Sequence, residues 1–392
     1  MARALQFLFG WIILLGAEFF RVYLIMPFSA QQGGTLETAY FIHENILYFR
    51  LVGILFMVVP AIYYVRYGTK LSKVLVIVAV VAAAVAVYFV NFKFEADAMF
   101  LQPKQKIFAA VSGNRIDGEK LVVGIYHNGK AKAYPIQMIG YHHQVRDSIE
   151  GMPVMVTYCT VCRTGRVFSP LVNGKDEKFR LVGMDRFNAM FEDASTGTWW
   201  QQATGEAVVG PLKGSALAEI PSEQMTLAAW IRKYPETLIM QYDPAFEEEY
   251  EHLKRYDRGK SKGDLTRRDS LSWNEKSWVV GVTINGHSRA YDWNDIVKVR
   301  VINDTLGREP IVIAVENDSA SFHVWKRDTL TFSWNAERSI PQDQTGSQWN
   351  WEATSTDGPL KGTTLPALQS YQEFWHSWRT FRPGTTRYGK TD

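Results

Sequence analysis

The two cysteines of this 392-residue chain stand two residues apart, at Cys159 and Cys162, in the run Tyr-Cys-Thr-Val-Cys-Arg-Thr-Gly. A Cys-x-x-Cys pair supports three kinds of chemistry. Its thiolates bind a soft metal ion, cycle between dithiol and disulfide, or close a structural disulfide that staples a loop. Arg163 follows the second cysteine, which excludes haem attachment through Cys-x-x-Cys-His. The pair comes just after the strand-like run Val154 to Tyr158, and a second such run, Arg166 to Phe168, comes after it. It therefore does not open a helix, as a thioredoxin-type motif must. No Ser-His-Asp order and no Gly-rich phosphate loop accompanies it.

A third participant comes from register. Residues 141–149 and 154–159 read as two strands joined by a turn near Glu150 to Met152, which sets Cys159 opposite residues 142–144. That window holds His142 and His143, whose side chains point to opposite faces of a strand, so one of them is expected to share a face with Cys159. The leading expectation is a metal site of Cys159, Cys162 and His143. It would take copper or zinc, with copper favoured for electron transfer or metal delivery. Two alternatives stand beside it. One is a thiol–disulfide redox protein in which Cys159 attacks and Cys162 resolves. The other is a non-enzymatic module that binds a partner or glycan, with the cysteines as a staple. A second cluster, Trp199, Trp200, Gln201, Gln202 and Thr204, is a candidate pocket wall together with His142, although buried tryptophans usually form cores.

These residues lie in a unit that is written twice. Val122-Val123-Gly124, Asn128-Gly129 and Ala133-Tyr134 recur 157 residues later as Val279-Val280-Gly281, Asn285-Gly286 and Ala290-Tyr291. Asp147 and Pro153 recur as Asp304 and Pro310, Trp200 as Trp349, and the Gly-Pro-Leu-Lys-Gly of 210–214 returns at 358–362. Each copy opens with a strand, an Asn-Gly turn and a strand, a strong hairpin signal. Short helices are expected before Pro235 and Pro383. In the second copy His143, Cys159 and Cys162 become Arg300, Glu316 and Ser319, so the thiol chemistry belongs to the first copy alone. Arg300 opposite Glu316 is expected to form a cross-strand ion pair.

Three apolar runs precede the duplicated part: Leu5 to Phe28, Ile46 to Tyr67 and Leu71 to Val90. Each is near the roughly 20 residues needed to cross a bilayer as a helix. Glu18 and Arg21 interrupt the first, three residues apart and so on one helical face, where they can pair or turn toward the other helices. Arg66, Lys70 and Lys73 lie between the second and third runs, whereas the loop from Phe28 to Asn45 has no lysine or arginine. The positive-inside rule then leaves everything after Val90 on the extracytoplasmic, periplasmic side of an inner membrane. The lipid membrane is the expected partner, with other membrane proteins as further candidates. A formal net charge of +3 with interspersed signs excludes a nucleic-acid stripe.

Four stretches together, His143 to Asp147, Pro153 to Cys162, Trp200 to Gly205 and Gly210 to Gly214, resemble the bacterial domain-of-unknown-function family 3179. The family reads Val-Thr-Tyr-Cys-Pro-Leu-Cys-Gly where this chain has Thr160 for the proline and Arg163 for the glycine. The resemblance covers about Glu119 to Leu238 and implies a shared Cys-Cys-His region, with no activity attached. The expected architecture is membrane helices plus a mainly β, α+β soluble part made of two duplicated β-rich lobes with short helices. Its expected divisions are a three-helix anchor at 1–92, a first lobe at 93–245, a charged linker at 246–277 and a degenerate second lobe at 278–392.

Overall fold

The computed structural model describes residues 1–27 and 34–390. Helices α1 (Ala2–Tyr23), α2 (Leu36–Glu44), α3 (Ile46–Tyr67) and α4 (Lys70–Phe92) open the chain. Of these, α1, α3 and α4 are long and apolar enough to cross a membrane. Their outward faces carry exposed apolar side chains such as Leu55, Val59 and Val78, which only a nonpolar solvent accommodates at low cost. The helix α2 was not anticipated. Phe28 and the first part of the loop after it lie outside the described residues.

Small residues let α1 and α3 approach closely. A Cβ added at Gly10 would lie 2.6 Å from the carbonyl oxygen of Gly53. Glu18 and Arg21 do pair, at 3.4 Å, Glu95 meets Arg21 at 2.7 Å, and two further residues join them. Arg50 Nε donates to Glu18 at 2.5 Å, while Asn91 accepts from both Arg21 and Arg50 at 2.6 Å. Asn91 returns a bond to Glu18 at 3.0 Å, so one polar knot ties three apolar helices together.

The chain divides into two compact units. The first contains residues 1–101, 177–201 and 206–216, so it joins the helices to a four-stranded antiparallel sheet. Within it the Tyr40 ring stands edge-on to Trp199 at 5.1 Å, and His43 Nε2 meets Glu192 at 3.2 Å. Arg180 Nε also binds Glu192, at 2.8 Å. The bonds from His43, Arg180 and Trp199 hold that carboxyl down at about 2 in spite of its burial.

The second unit contains residues 102–176, 202–205 and 217–392. In it the duplication is visible strand by strand. The hairpin Leu121–His127 and Lys130–Pro135 pairs on one side with Glu223–Thr226 and on the other, in parallel, with Leu238–Met240. The hairpin Trp278–Ile284 and His287–Asp292 does the same with Ser370–Phe374 and Thr386–Arg387. Gly124 and Gly281 have the same reason to be glycine: a Cβ on either would lie 2.3 Å from the indole of Trp230 or Trp378. Those indoles donate to Thr237 and Thr385 at 2.8 Å. The expected short helices are Leu227–Lys233, capped by Thr226, and Trp375–Phe381.

Two elements differ from expectation. The residues before the cysteine hairpin form a helix, Ile136–His142, and the strand begins only at Gln144. Segment 246–277 is more than a connection. It contains the helix Glu247–His252 and buries Phe246, Tyr250, Tyr256 and Asp257.

Candidate functional site

The strand Met152–Cys159 runs into a tight turn, and the return strand Thr164–Phe168 pairs Thr164 with Cys159. Arg163 closes the turn with φ +58, in the left-handed region that favours glycine. Both cysteine side chains are fully buried, and no disulfide joins them. Burial pushes the Cys162 thiol well above its usual range, and contact with the Cys159 sulfur pushes it further. The Ser377 hydroxyl and the Lys276 ammonium act in the opposite direction. Lys276 Nζ donates to the carbonyls of Val161 at 2.5 Å and Leu265 at 2.6 Å, and burial lowers its own pKa.

The second copy supplies the cover over this turn. Phe374 N–H donates to Cys162 O at 3.0 Å, and His376 Nε2–H donates to Val161 O at 3.1 Å. Burial, then the neighbouring Lys276 charge, depresses His376 to about 3. Segment 246–277 closes the other side. Tyr256 OH donates to Thr160 O at 2.9 Å, and Arg163 donates to Asp257 O at 3.3 Å. The Arg163 guanidinium also reaches Gln372 Oε1 at 2.7 Å and lies 3.7 Å over the Trp278 ring. Asp257, with its carboxyl buried, rises to about 6.

The expected third ligand is placed differently. His143 is the left-handed cap of the helix Ile136–His142, with φ +60, so it does not take part in the alternation of a strand. Its Nδ1–H donates to Tyr141 O at 3.0 Å, and burial depresses it to about 4. His142 meets Tyr250 OH at 2.7 Å and packs edge-on to Phe246. Among the described residues no three His, Cys, Asp or Glu side chains gather as a metal-holding group, and this includes the set Cys159, Cys162 and His143. The helix winds residues 136–142, while the His143 carbonyl accepts from Tyr158 N–H, next to Cys159, at 2.9 Å.

The other expected pocket residues fall in both units. Gln202 lies under the cysteine hairpin, donating to Thr157 Oγ1 at 2.9 Å and Thr164 O at 3.0 Å. Trp200 belongs to the first unit, where its indole donates to Asp193 at 2.9 Å; Trp349 repeats that bond with Asp343 at 2.8 Å. Thr204 is half-buried. In the second copy the expected Arg300–Glu316 ion pair does not form. Arg300 donates to the main-chain oxygen of Glu316 at 2.7 Å, while the carboxylate takes Arg232 at 2.5 Å and His323 at 2.9 Å. Lys276, His376 and Ser377 were not foreseen, because they are more than 100 residues from the cysteines and carry no local motif.

A family model described as "Protein of unknown function (DUF3179)" matches residues 103–385. No curated protein and no solved structure matches the chain.

Proposed function

This chain belongs to the DUF3179 family, which brings no activity with it, and from that premise we propose a membrane-anchored thiol–disulfide redox protein whose centre is Cys159–Cys162. The observation that carries this reading is the direct contact of two buried thiols, beside one ammonium and one hydroxyl that favour the thiolate of Cys162. Exchange with a partner disulfide balances the step. The Cys162 thiolate attacks one partner sulfur, the partner's S–S bond breaks, and the Cys159 thiolate then displaces the mixed disulfide. The chain is left with a Cys159–Cys162 disulfide, and the partner leaves as a dithiol carrying the two protons. This exchanges the roles expected from sequence, because Ser377 acts on Cys162 and Lys276, though coupled to both sulfurs, is coupled most to Cys162. Access to either sulfur requires the covering segment 246–277 or the 374–377 corner to move.

A second reading rests on the same dry pair: one copper(I) or zinc ion held by both thiolates, their charge offset by Lys276. His143 is not part of that arrangement. The test is elemental analysis, thiol counting and redox titration of the full chain in detergent. Two thiols that vanish together at one midpoint in a glutathione-type buffer, without stoichiometric metal, support the redox reading. One equivalent of metal protecting both thiols supports the second. Neither result leaves the cysteines as packing residues and removes both readings.

We also assign the large domain to the extracytoplasmic side, from Arg66 in the last turn of α3 and Lys70 and Lys73 at the start of α4. The fold of the first unit agrees in parity. Helix α2, between α1 and α3, packs on the sheet that follows α4, so both lie at one end of the bundle. Cysteines introduced at Ser72 and Asn114 test the assignment with an impermeant thiol reagent on intact cells. Labelling of Asn114→Cys without Ser72→Cys is expected, and the reverse pattern overturns the assignment.

A further inference from the structure

The two copies meet along two equivalent seams and fill them differently. In the first seam Arg166 reaches Glu373, stands 3.6 Å from Glu219 and lies 3.4 Å over the Tyr371 ring. In the second seam the positions equivalent to Arg166, Glu219 and Tyr371 hold His323, Ala367 and Glu223. The imidazole is shorter than a guanidinium, and its Nε2 is bound to Glu316 at 2.9 Å. Its ring forms a triangle with those of Trp325 and Trp351, at 5.7 and 5.4 Å, the two indoles being 6.5 Å apart. The space that the arginine and the glutamate fill in the first seam is a cavity of about 50 Å³ in the second, lined by His323, Ala367 and Glu223 among others. That is several times the roughly 10–15 Å³ needed by one water.

The same cavity is lined by Gln224, which is 9% exposed and whose Nε2 has no hydrogen-bond partner among the described residues. A buried amide donor left without an acceptor is destabilising, so a ligand oxygen placed there makes a hydrogen bond that the fold leaves unmade. The remaining wall is mixed. Val324 and Leu368 supply apolar surface, while Glu223, held by Lys233 at 2.7 Å, and Glu352 supply carboxylates.

We propose that this cavity binds the secondary amide of a small ligand. The ligand carbonyl accepts from Gln224 Nε2, its N–H donates to Glu223 or Glu352, and its methyl group packs on Val324 and Leu368. The volume takes an acetamido group and leaves whatever bears it, a sugar ring or a peptide unit, at the mouth. This proposal is independent of the thiol chemistry.

Saturation-transfer NMR on the full chain in detergent tests it with N-acetylglucosamine, N-acetyl-L-alanine methylamide and glucose as probes. The acetyl methyl protons are expected to receive several times the transfer of the other ligand protons, with glucose silent. Response from one amide probe or from both supports the site and tells which carrier it admits. Gln224→Leu removes the donor, and Ala367→Leu fills the cavity without touching it. Each is expected to weaken binding at least tenfold, with far-UV circular dichroism unchanged. Silence of both amide probes, an equal response to glucose, or unaltered binding in both variants overturns the proposal.

Discussion

The thiols of this protein lie in a dry site whose charge balance is set by residues far away in sequence. Burial alone makes the Cys162 thiolate costly; Ser377 and Lys276 reduce that cost without removing it. The same burial makes stability depend on pH, and the sign follows from proton counts. His143 and His376 are depressed to about 4 and 3 from 6.5, so the folded chain binds fewer protons there, and that stability is lost as pH falls below about 6.5. Asp257 is raised to about 6, so its contribution grows as pH falls below 6. Two histidines against one aspartate leave a net loss of about 1.4 kcal/mol per pH unit between roughly pH 6 and 5. Urea unfolding across that range is expected to show this slope, and His376→Asn to flatten it. An unchanged slope in the variant would mean that the imidazole is not buried neutral.

Among the elements, the repeated hairpins were readable because their signal is local. An Asn-Gly turn between alternating strands predicts its own geometry, and both turns take left-handed φ at Asn128, Gly129, Asn285 and Gly286. Tyr141 and His142, the end of the helix Ile136–His142, read as the start of a strand because a seven-residue helix has too few turns to display a 3.6-residue period. What each hairpin packs against was not readable either. Gly124→Ala forces a methyl to within 2.3 Å of the Trp230 ring and is expected to cost about 1–3 kcal/mol. Gly113→Ala, whose nearest contact is 3.7 Å, is the near-neutral control. Equal unfolding midpoints for the two variants would contradict the close packing of Gly124 on Trp230.

For the molecule as a whole, duplication has produced two seams of opposite character. One is filled by the buried pair Arg166–Glu373, both side chains 1% exposed. Glu373→Gln leaves a buried guanidinium short of its charge partner and is expected to cost about 3–5 kcal/mol. The double replacement Arg166→Met with Glu373→Leu is expected to recover most of that loss in denaturant unfolding. If the single variant is as stable as the parent, the pair does not hold the copies together. The other seam keeps a cavity, and the membrane helices carry their own polar knot of Glu18, Arg21, Arg50 and Asn91.

The amino-acid order by itself determined the three membrane-length helices, the duplication, the opening hairpins and the confinement of both cysteines to one copy. These rest on apolar run length, strand period, turn residues and residue identity, all of which act within about 20 positions. Tertiary structure alone decided that His143 caps a helix, and that Lys276, His376 and Ser377 surround the thiols. It also decided that a cavity remains where His323 replaces an arginine. Those outcomes depend on contacts between segments more than 100 residues apart, where burial and desolvation, rather than local propensity, fix the environment of each group.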